Sequence, residues 1–541
     1  MYYNPKLYIL SKLFLNWMKL IDSLGINEVT EIEKYIRNKE RGGIKREASL
    51  HRWWSRRSIF LYRAILTSFI LRESDLDRFY DGVNDPYTLN ANGLVFLEPM
   101  AGGGTGLVEA SMYNYNAYGI DINPLAVKII EGYSILRREI TWDKMFYILE
   151  ETDLELNWLW HHDGKLASYI LITRGKIPSW IFTRKKKKVI LCPYCGNVFE
   201  TTNDNTVSCP KCGHNIDITI KPVYEPPFFL KYFKDWKIFG IIHDDRSFSF
   251  DEKWITERVE RLRNFDLNLV NVNLHEIKEG ERLIKSGISK IEEVFTPAQL
   301  YTYYVLSIKA KELNHEEKTL LMLASSDSVK TCSVLSKWYP PLTEPINYGG
   351  GVKGFWVPEY TAETNPIASN NKKPKAKGNI ISGIKNQEKI IKKFKFRGEI
   401  HAICGDARDI EYPKSDLIVI DPPYYGFDLD YVSLSLPHYA IANMFEKLGS
   451  LNRAIGKEIK RYDFFSSLRT ILEKSKNSLR SQEGRIVLII NFNNYKDWEK
   501  LYSILEDIRL NVINSFKILG ESPGKLGRSK NRDIKIIILA K

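Results

Sequence analysis

The chain has 541 residues, 44% hydrophobic and 12% aromatic, which is ample for packed cores and excludes a wholly disordered protein. Single cores stop growing at about 250–300 residues, so two or three domains are expected. Lys and Arg number 79 against 66 Asp and Glu, a net +13, which suits a polyanionic partner and equally a plain solvated basic surface.

The N-terminus (MYYNPKLYILSKLF) lacks an apolar core followed by a small-residue cleavage site, so no signal peptide is expected. No apolar run approaches the ~18 residues of a membrane-spanning helix, and a cytoplasmic protein is the expectation. Residues 1–90 read as helical. Within them, residues 48–71 (ASLHRWWSRRSIFLYRAILTSFIL) form a long aromatic and basic stretch without Pro or Gly. Residues 94–97 (LVFL) predict a short buried strand. A Gly-rich turn and a helix from about Leu107 follow. A second strand, 117–120 (AYGI), ends at Asp121, and Pro124 opens another helix. Strand, Gly-rich turn, helix, strand is the start of a doubly wound α/β fold.

From 141 to 394 the βα alternation lapses. This stretch holds a basic run at 185–188, two close cysteine pairs, a Gly-rich loop at 348–354 and a Lys-rich polar loop (NNKKPKAKGN). Thr296-Pro297-Ala298-Gln299 predicts a helix start, with Thr as N-cap, Pro at the first position and Gln closing a capping box. Alternation returns near 395, with strand-like runs at 400–404, 416–421, 485–491, 510–518 and 534–540, the last two joined as a hairpin. The reading is one α/β domain made from 1–140 and 395–541, interrupted by an insert over 141–394.

Four local patterns carry chemistry. The first is Glu98-Pro99-Met100-Ala101-Gly102-Gly103-Gly104-Thr105-Gly106, between strand and helix. Its glycines let a ligand approach the backbone and expose amides at a helix start, although a bare tight turn has the same composition. Leu107 stands where a dinucleotide fingerprint needs Gly, which disfavours a dehydrogenase. The second is Asp121, a ribose acceptor or a helix cap. The third is Gly405-Asp406-Ala407, whose acid could meet an adenine amino group.

The fourth, Asp421-Pro422-Pro423-Tyr424 after DLIVI, is the most telling. An exocyclic amino nitrogen conjugated to a base ring is a poor nucleophile. The Asp421 carboxylate and the carbonyl between the prolines can accept its N–H groups, freeing the lone pair to attack a sulfonium methyl group. The prolines stiffen the loop, and Tyr424 offers a face to an extruded base.

Cys192-x2-Cys195 and Cys209-x2-Cys212 lie thirteen residues apart, each in a Cys-Pro-x-Cys-Gly knuckle. Four thiolates at this spacing favour a closed tetrahedral Zn²⁺ site spanning about residues 189–216. His214 is a spare donor. The adjacent basic run makes nucleic-acid contact a further expectation for the insert. In the N-terminal cluster His51, Trp53, Trp54, Arg56 and Arg57, the arginines suit a phosphate or a cofactor carboxylate, and the whole suits packing equally well.

In this order the motifs resemble those of the amino-methyltransferases. The segment LHRWWSRR at 50–57, EPMAGGGTG, DINP at 121–124, TPAQL and DPPYYGFDLDY sharpen the resemblance to adenine-specific DNA methylases that contain a zinc ribbon. That resemblance implies a Rossmann-like S-adenosylmethionine-dependent methyltransferase sheet and methylation of a base amino group, N6 of adenine first. It also implies flipped duplex DNA as partner, and RNA is the rival substrate. A nucleic-acid-binding subunit of a restriction or other defence system, with little activity alone, is the other alternative. Carried over, Glu98, Pro99, Ala101, Gly102 and Gly104 line the methionine end of the cofactor. Asp121 holds the ribose, Asp406 and Ala407 the adenine, and Asp421, Pro422, Pro423 and Tyr424 are catalytic. The chain departs from the family in having Glu-Pro-Met where Asp-Pro-Phe is usual, and in a less aromatic stretch after DPPY.

Overall fold

A computed structural model describes residues 19–39, 49–54, 57–175, 180–184, 187–192, 194–203, 205–218, 230–266, 272–277, 280–338, 355–423, 425, 430–449, 451, 454–460, 462–519 and 533–541. The chain divides into two compact units. One comprises Met1–Glu139, Lys389–Leu429 and Gly449–Lys541; the other comprises Ile140–Glu388 and Asp430–Leu448. The stretch expected to be continuous over 395–541 is thus split, with 430–448 belonging to the second unit.

The first unit is mixed α/β, built on a seven-stranded sheet. Its strands are β1 (Val95–Glu98), β2 (Asn116–Asp121), β3 (Ile400–Cys404), β4 (Leu417–Ile420), β5 (Arg485–Ile490), β6 (Asn511–Leu519) and β7 (Asp533–Ala540). In space they run β3-β2-β1-β4-β5-β7-β6. The first five are parallel to one another, and β7 pairs antiparallel with both β5 and β6. This mostly parallel sheet is compatible with a Rossmann-like fold. The central strands are buried along their length, as parallel strands covered on both faces must be, which explains why VFLE, LIVI and RIVLII do not alternate.

On one face, Leu97, Ile120, Ile418, Ile420 and Leu488 pack with Leu468, Ile471 and Leu472 of helix Phe464–Ser478 and with Leu501 and Leu505 of helix Tyr495–Asp507. Helix Thr105–Met112 connects β1 to β2 and packs on helix Ile59–Ile70. Between these two helices the buried Arg63 Nε donates to Glu109 Oε2 at 2.7 Å.

The helix expected within 48–71 begins only at Ile59. Ser58 is extended and its hydroxyl accepts from Phe60 and Leu61 N–H, so it caps the helix. Residues 49–54 and 57 before it are not helical, and Trp53 packs instead against the Gly-rich turn, where its Nε1 lies 2.6 Å from the position a Cβ on Gly102 would take.

In the second unit, Lys165–Thr173 is the centre of an antiparallel sheet, flanked by Lys237–His243 and Tyr360–Thr364. Antiparallel pairing accounts for the loss of βα alternation in the sequence. Helix Pro297–Lys309 starts as predicted: Thr296 Oγ1 accepts from Gln299 N–H, and Gln299 Oε1 accepts from Thr296 N–H, both at 3.2 Å. Helix Tyr431–Phe445 is capped by Asp430, and the His438 ring and carbonyl meet Ser326 of helix His315–Ser328. Among the described residues no helix is long and apolar enough to cross a membrane.

Breaking a buried ion pair strands a charge without water. Glu109→Ala should therefore destabilise the first unit by about 3–5 kcal/mol, read as a lower denaturation midpoint at constant slope. A change below about 1 kcal/mol would mean that Arg63 is solvated there, contrary to its burial.

Candidate active site and metal centre

The parallel strands end at one edge of the first unit's sheet, and the order reverses at β1, which lies between β2 and β4. Ligands of open α/β sheets bind outside the carboxyl ends at such a reversal. Glu98 ends β1 and Asp121 ends β2. Asp421 directly follows β4, and Asp406 lies two residues beyond β3. The edge thus collects all four acids singled out in the sequence.

The Gly-rich turn needs its glycines. Gly102 and Gly104 have φ of +50° and +72°, a region costly for a residue with a Cβ, and Gly104 is the N-cap of helix Thr105–Met112. Pro99 and Ala101 are buried beneath the turn, and Ala101 N–H donates to the Ile120 carbonyl at 2.9 Å. Asp121 braces the turn from β2: its Oδ2 accepts from Gly102 N–H and its Oδ1 from Asn123 N–H, each at 2.8 Å. Asn123 is the cap of helix Pro124–Ile135, so Asp121 does not cap it directly. Burial pushes the Asp121 carboxyl up to about 6, against the pull of those two amides.

Glu98 is 2% exposed. Its Oε1 accepts from the Tyr62 hydroxyl, while Oε2 is buried with no hydrogen-bond partner among the described residues. Burial first, then the charges of Asp421 and Asp121, hold this carboxyl well above the usual carboxylate range, outweighing the Tyr62 bond. A buried acceptor left unsatisfied carries a full desolvation cost, which a donor or cation placed there would offset.

Asp421 is gripped side-on by Arg57, with Nε to Oδ2 at 2.8 Å and Nη2 to Oδ1 at 2.7 Å. Arg57 lines a small cleft with Pro422, Pro423, Tyr425, Ile489, Ile490, Asn491 and Asn493. Tyr425 roots the loop: its ring meets Phe464, Phe465 and Phe492 edge-on, with centroids 5.0–5.5 Å away, and its hydroxyl donates to Asp497 at 3.3 Å. Tyr424, expected as a stacking face, lies outside the described residues, as do Arg56, Lys185 and the loop at 348–354.

Asp406 is already engaged. The Arg408 guanidinium binds both its oxygens, at 2.9 and 2.7 Å, and reaches Asp463 at 3.1 Å. Burial raises the Asp406 carboxyl, but Arg408 more than reverses this and leaves it below the usual range. Ala407 is buried, and its carbonyl accepts from Tyr412. Arg57, Tyr62 and Arg408 are therefore partners that local motifs did not reveal. Arg57 stood in the sequence among candidate phosphate or cofactor contacts; in the structure its partner is Asp421. Only Arg408, two residues from its acid, carried a local signal.

In the second unit, two hairpins each turn through a cysteine knuckle. One joins Lys187–Leu191 to Val198–Thr201, the other Thr206–Ser208 to Asn215–Asp217. Gly196 and Gly213, with φ of +70° and +75°, donate to the carbonyls of Cys192 and Cys209. Sulfur separations are 3.6 Å for Cys192–Cys212 and for Cys195–Cys209, and all four sulfurs lie within 4.8 Å of one another. A tetrahedron with Zn–S of about 2.3 Å has edges of about 3.8 Å, so the four cysteines are close enough to hold a metal ion such as zinc. His214 stacks on Tyr194, 4.3 Å between centroids, and does not join the four.

No family model, curated protein or solved structure matches the chain.

Purified protein should carry about one zinc per chain, and chelation should unfold the two hairpins while leaving the seven-stranded sheet folded, seen as loss of hydrogen-exchange protection confined to residues 187–218. Cys192→Ser with Cys209→Ser should contain no zinc. Full zinc content in that double variant would place the metal elsewhere.

Proposed function

We propose that the first unit transfers a methyl group from S-adenosylmethionine to an exocyclic amino group of a nucleic-acid base, N6 of adenine in duplex DNA foremost. The observation that carries the reading is the convergence of Glu98, Asp121 and Asp421 at the ends of three adjacent parallel strands, beside a glycine turn in left-handed conformation. The residues present fit the cofactor. The orphaned, buried Glu98 Oε2 suits an ammonium group, and the carboxylate of Asp121 keeps lone pairs for hydroxyl donors while it braces Gly102. The space a side chain on Gly102 or Gly104 would fill is taken by Trp53 and Ile130, so these two glycines shape the turn itself.

When bound, S-adenosylmethionine supplies an electrophilic methyl group on a sulfonium that leaves as a neutral thioether. Asp421 accepts an N–H of the target amino group and draws its lone pair out of conjugation with the ring. The Pro422 carbonyl accepts the second N–H, and the two prolines keep both acceptors aimed, so little reorganisation is needed. The methylated nitrogen sheds one proton to water. The metal-binding hairpins serve as a structural zinc ribbon, with target contact through the neighbouring lysines.

Methyl transfer from labelled cofactor should reach duplex DNA and yield N6-methyladenine on digestion to nucleosides. Asp421→Ala should lower the rate by at least about 100-fold. Label in RNA alone would reassign the substrate, and activity that survives Asp421→Ala would remove the proposed chemistry.

Cofactor binding should also depend on pH. Asp121 titrates at about 6, and Glu98 is likewise raised above the usual carboxylate range. Both must lose a proton to act as anionic acceptors, so affinity should rise with pH through about 6 and fall below it. Calorimetric titration would show this, and Asp121→Asn should flatten the dependence near pH 6 while weakening binding. An affinity in the wild-type chain that does not change between about pH 5 and 7 would contradict it.

A further inference from the structure

Resting on that reading, we propose that Arg57 is the positioning residue of Asp421: its guanidinium aims the carboxylate at the target amino group.

The fork is side-on, with Nε and Nη2 taking one lone pair from each oxygen. An ionised carboxylate offers about four acceptor sites, so two remain for the N–H of a substrate. Arg57 is 6% exposed and lines the same cleft as Pro422 and Pro423. It therefore lies beside the place where an amino group meets the loop.

The chain path explains why this arginine is held still. Leu50 N–H is anchored on the Tyr133 hydroxyl at 2.9 Å. Trp53 packs on Gly102, and Ser58, the residue after Arg57, caps helix Ile59–Ile70. One turn into that helix Tyr62 donates to Glu98. A single stretch of chain thus holds two of the acids, Arg57 on Asp421 and Tyr62 on Glu98.

Charge gives the second argument. Asp421 faces Arg57, and Glu98 with its partner Tyr62 also feels its charge; Asp121 adds a third carboxyl near Glu98. The Arg57 guanidinium supplies a cation to Asp421 among these carboxyls. Lysine would keep the charge but lose the fork that sets the plane of the carboxylate.

The test compares wild type, Arg57→Lys and Arg57→Met for cofactor affinity and for kcat and KM of methyl transfer. For Arg57→Met, kcat should fall by about 100-fold while KM and cofactor affinity stay within about 3-fold. Arg57→Lys should lose about 10-fold in kcat with KM and cofactor affinity equally unchanged, because the charge persists without the geometry. Should Arg57→Met fail to fold, the lysine variant decides: lower kcat at unchanged KM and cofactor affinity supports the role. Wild-type kcat in Arg57→Lys, or in a folded Arg57→Met, overturns it while leaving the methyltransferase reading intact. A wild-type chain that methylates no nucleic acid overturns both.

Discussion

Parallel pairing of β1 with both β2 and β4 is the constraint on which the rest of the first unit depends. Parallel neighbours must all end on the same edge, so whatever follows each strand is delivered to one line. Glu98 and Asp121 come from strands about twenty residues apart, while Asp421 arrives from the far side of the second unit's sequence. With Phe96 in register with both Ala117 and Leu417, Asp121 and Asp421 lie level with each other, four residues beyond those partners, and Glu98 lies two beyond Phe96. Slippage by one residue would turn Glu98 to the opposite face and leave the Gly-rich turn unbraced.

A cluster of carboxyls at low exposure is unfavourable unless each is compensated, and the three acids of the reversal point are compensated differently. Asp121 uses two backbone amides, Asp421 a guanidinium fork, and Glu98 one hydroxyl with its second oxygen unsatisfied. The least satisfied of them is also the most buried. Such a residue lowers stability, unlike a structural ion pair, and a cationic group placed there would return the cost. Arg63 with Glu109, a few residues away on neighbouring helices, is the structural counterpart, an acid and a base that satisfy one another.

The cysteine cluster follows a separate logic. Small antiparallel hairpins carry little apolar core: here Ile190, Val207, Ile216 and Ile218 pack around the sulfurs themselves. The four cysteines are close enough to hold a metal ion, and a metal held there would supply the folding energy that the hairpins lack.

By itself the sequence determined the elements and the local chemistry. The buried runs, the capping box at Thr296, the glycines of left-handed turns, the strand-end acids and the cysteine knuckles all depend on residues within a few positions of one another. Local sterics and hydrogen bonding act over that range, which is why these features were readable. The tertiary structure alone decided the partners. Arg57 and Asp421 are 364 residues apart, and Tyr62 and Glu98 are 36 apart. No periodicity encodes such pairings, since they arise from how helix Ile59–Ile70 lies against the sheet. The late start of that helix has the same origin. An aromatic and basic run without Pro or Gly is compatible with a helix throughout, but the cap at Ser58 and the packing of Trp53 on Gly102 outweigh that propensity. Assignment of residues 430–448 to the second unit was likewise beyond linear reading, because the chain's contacts, not its order, define a folded unit.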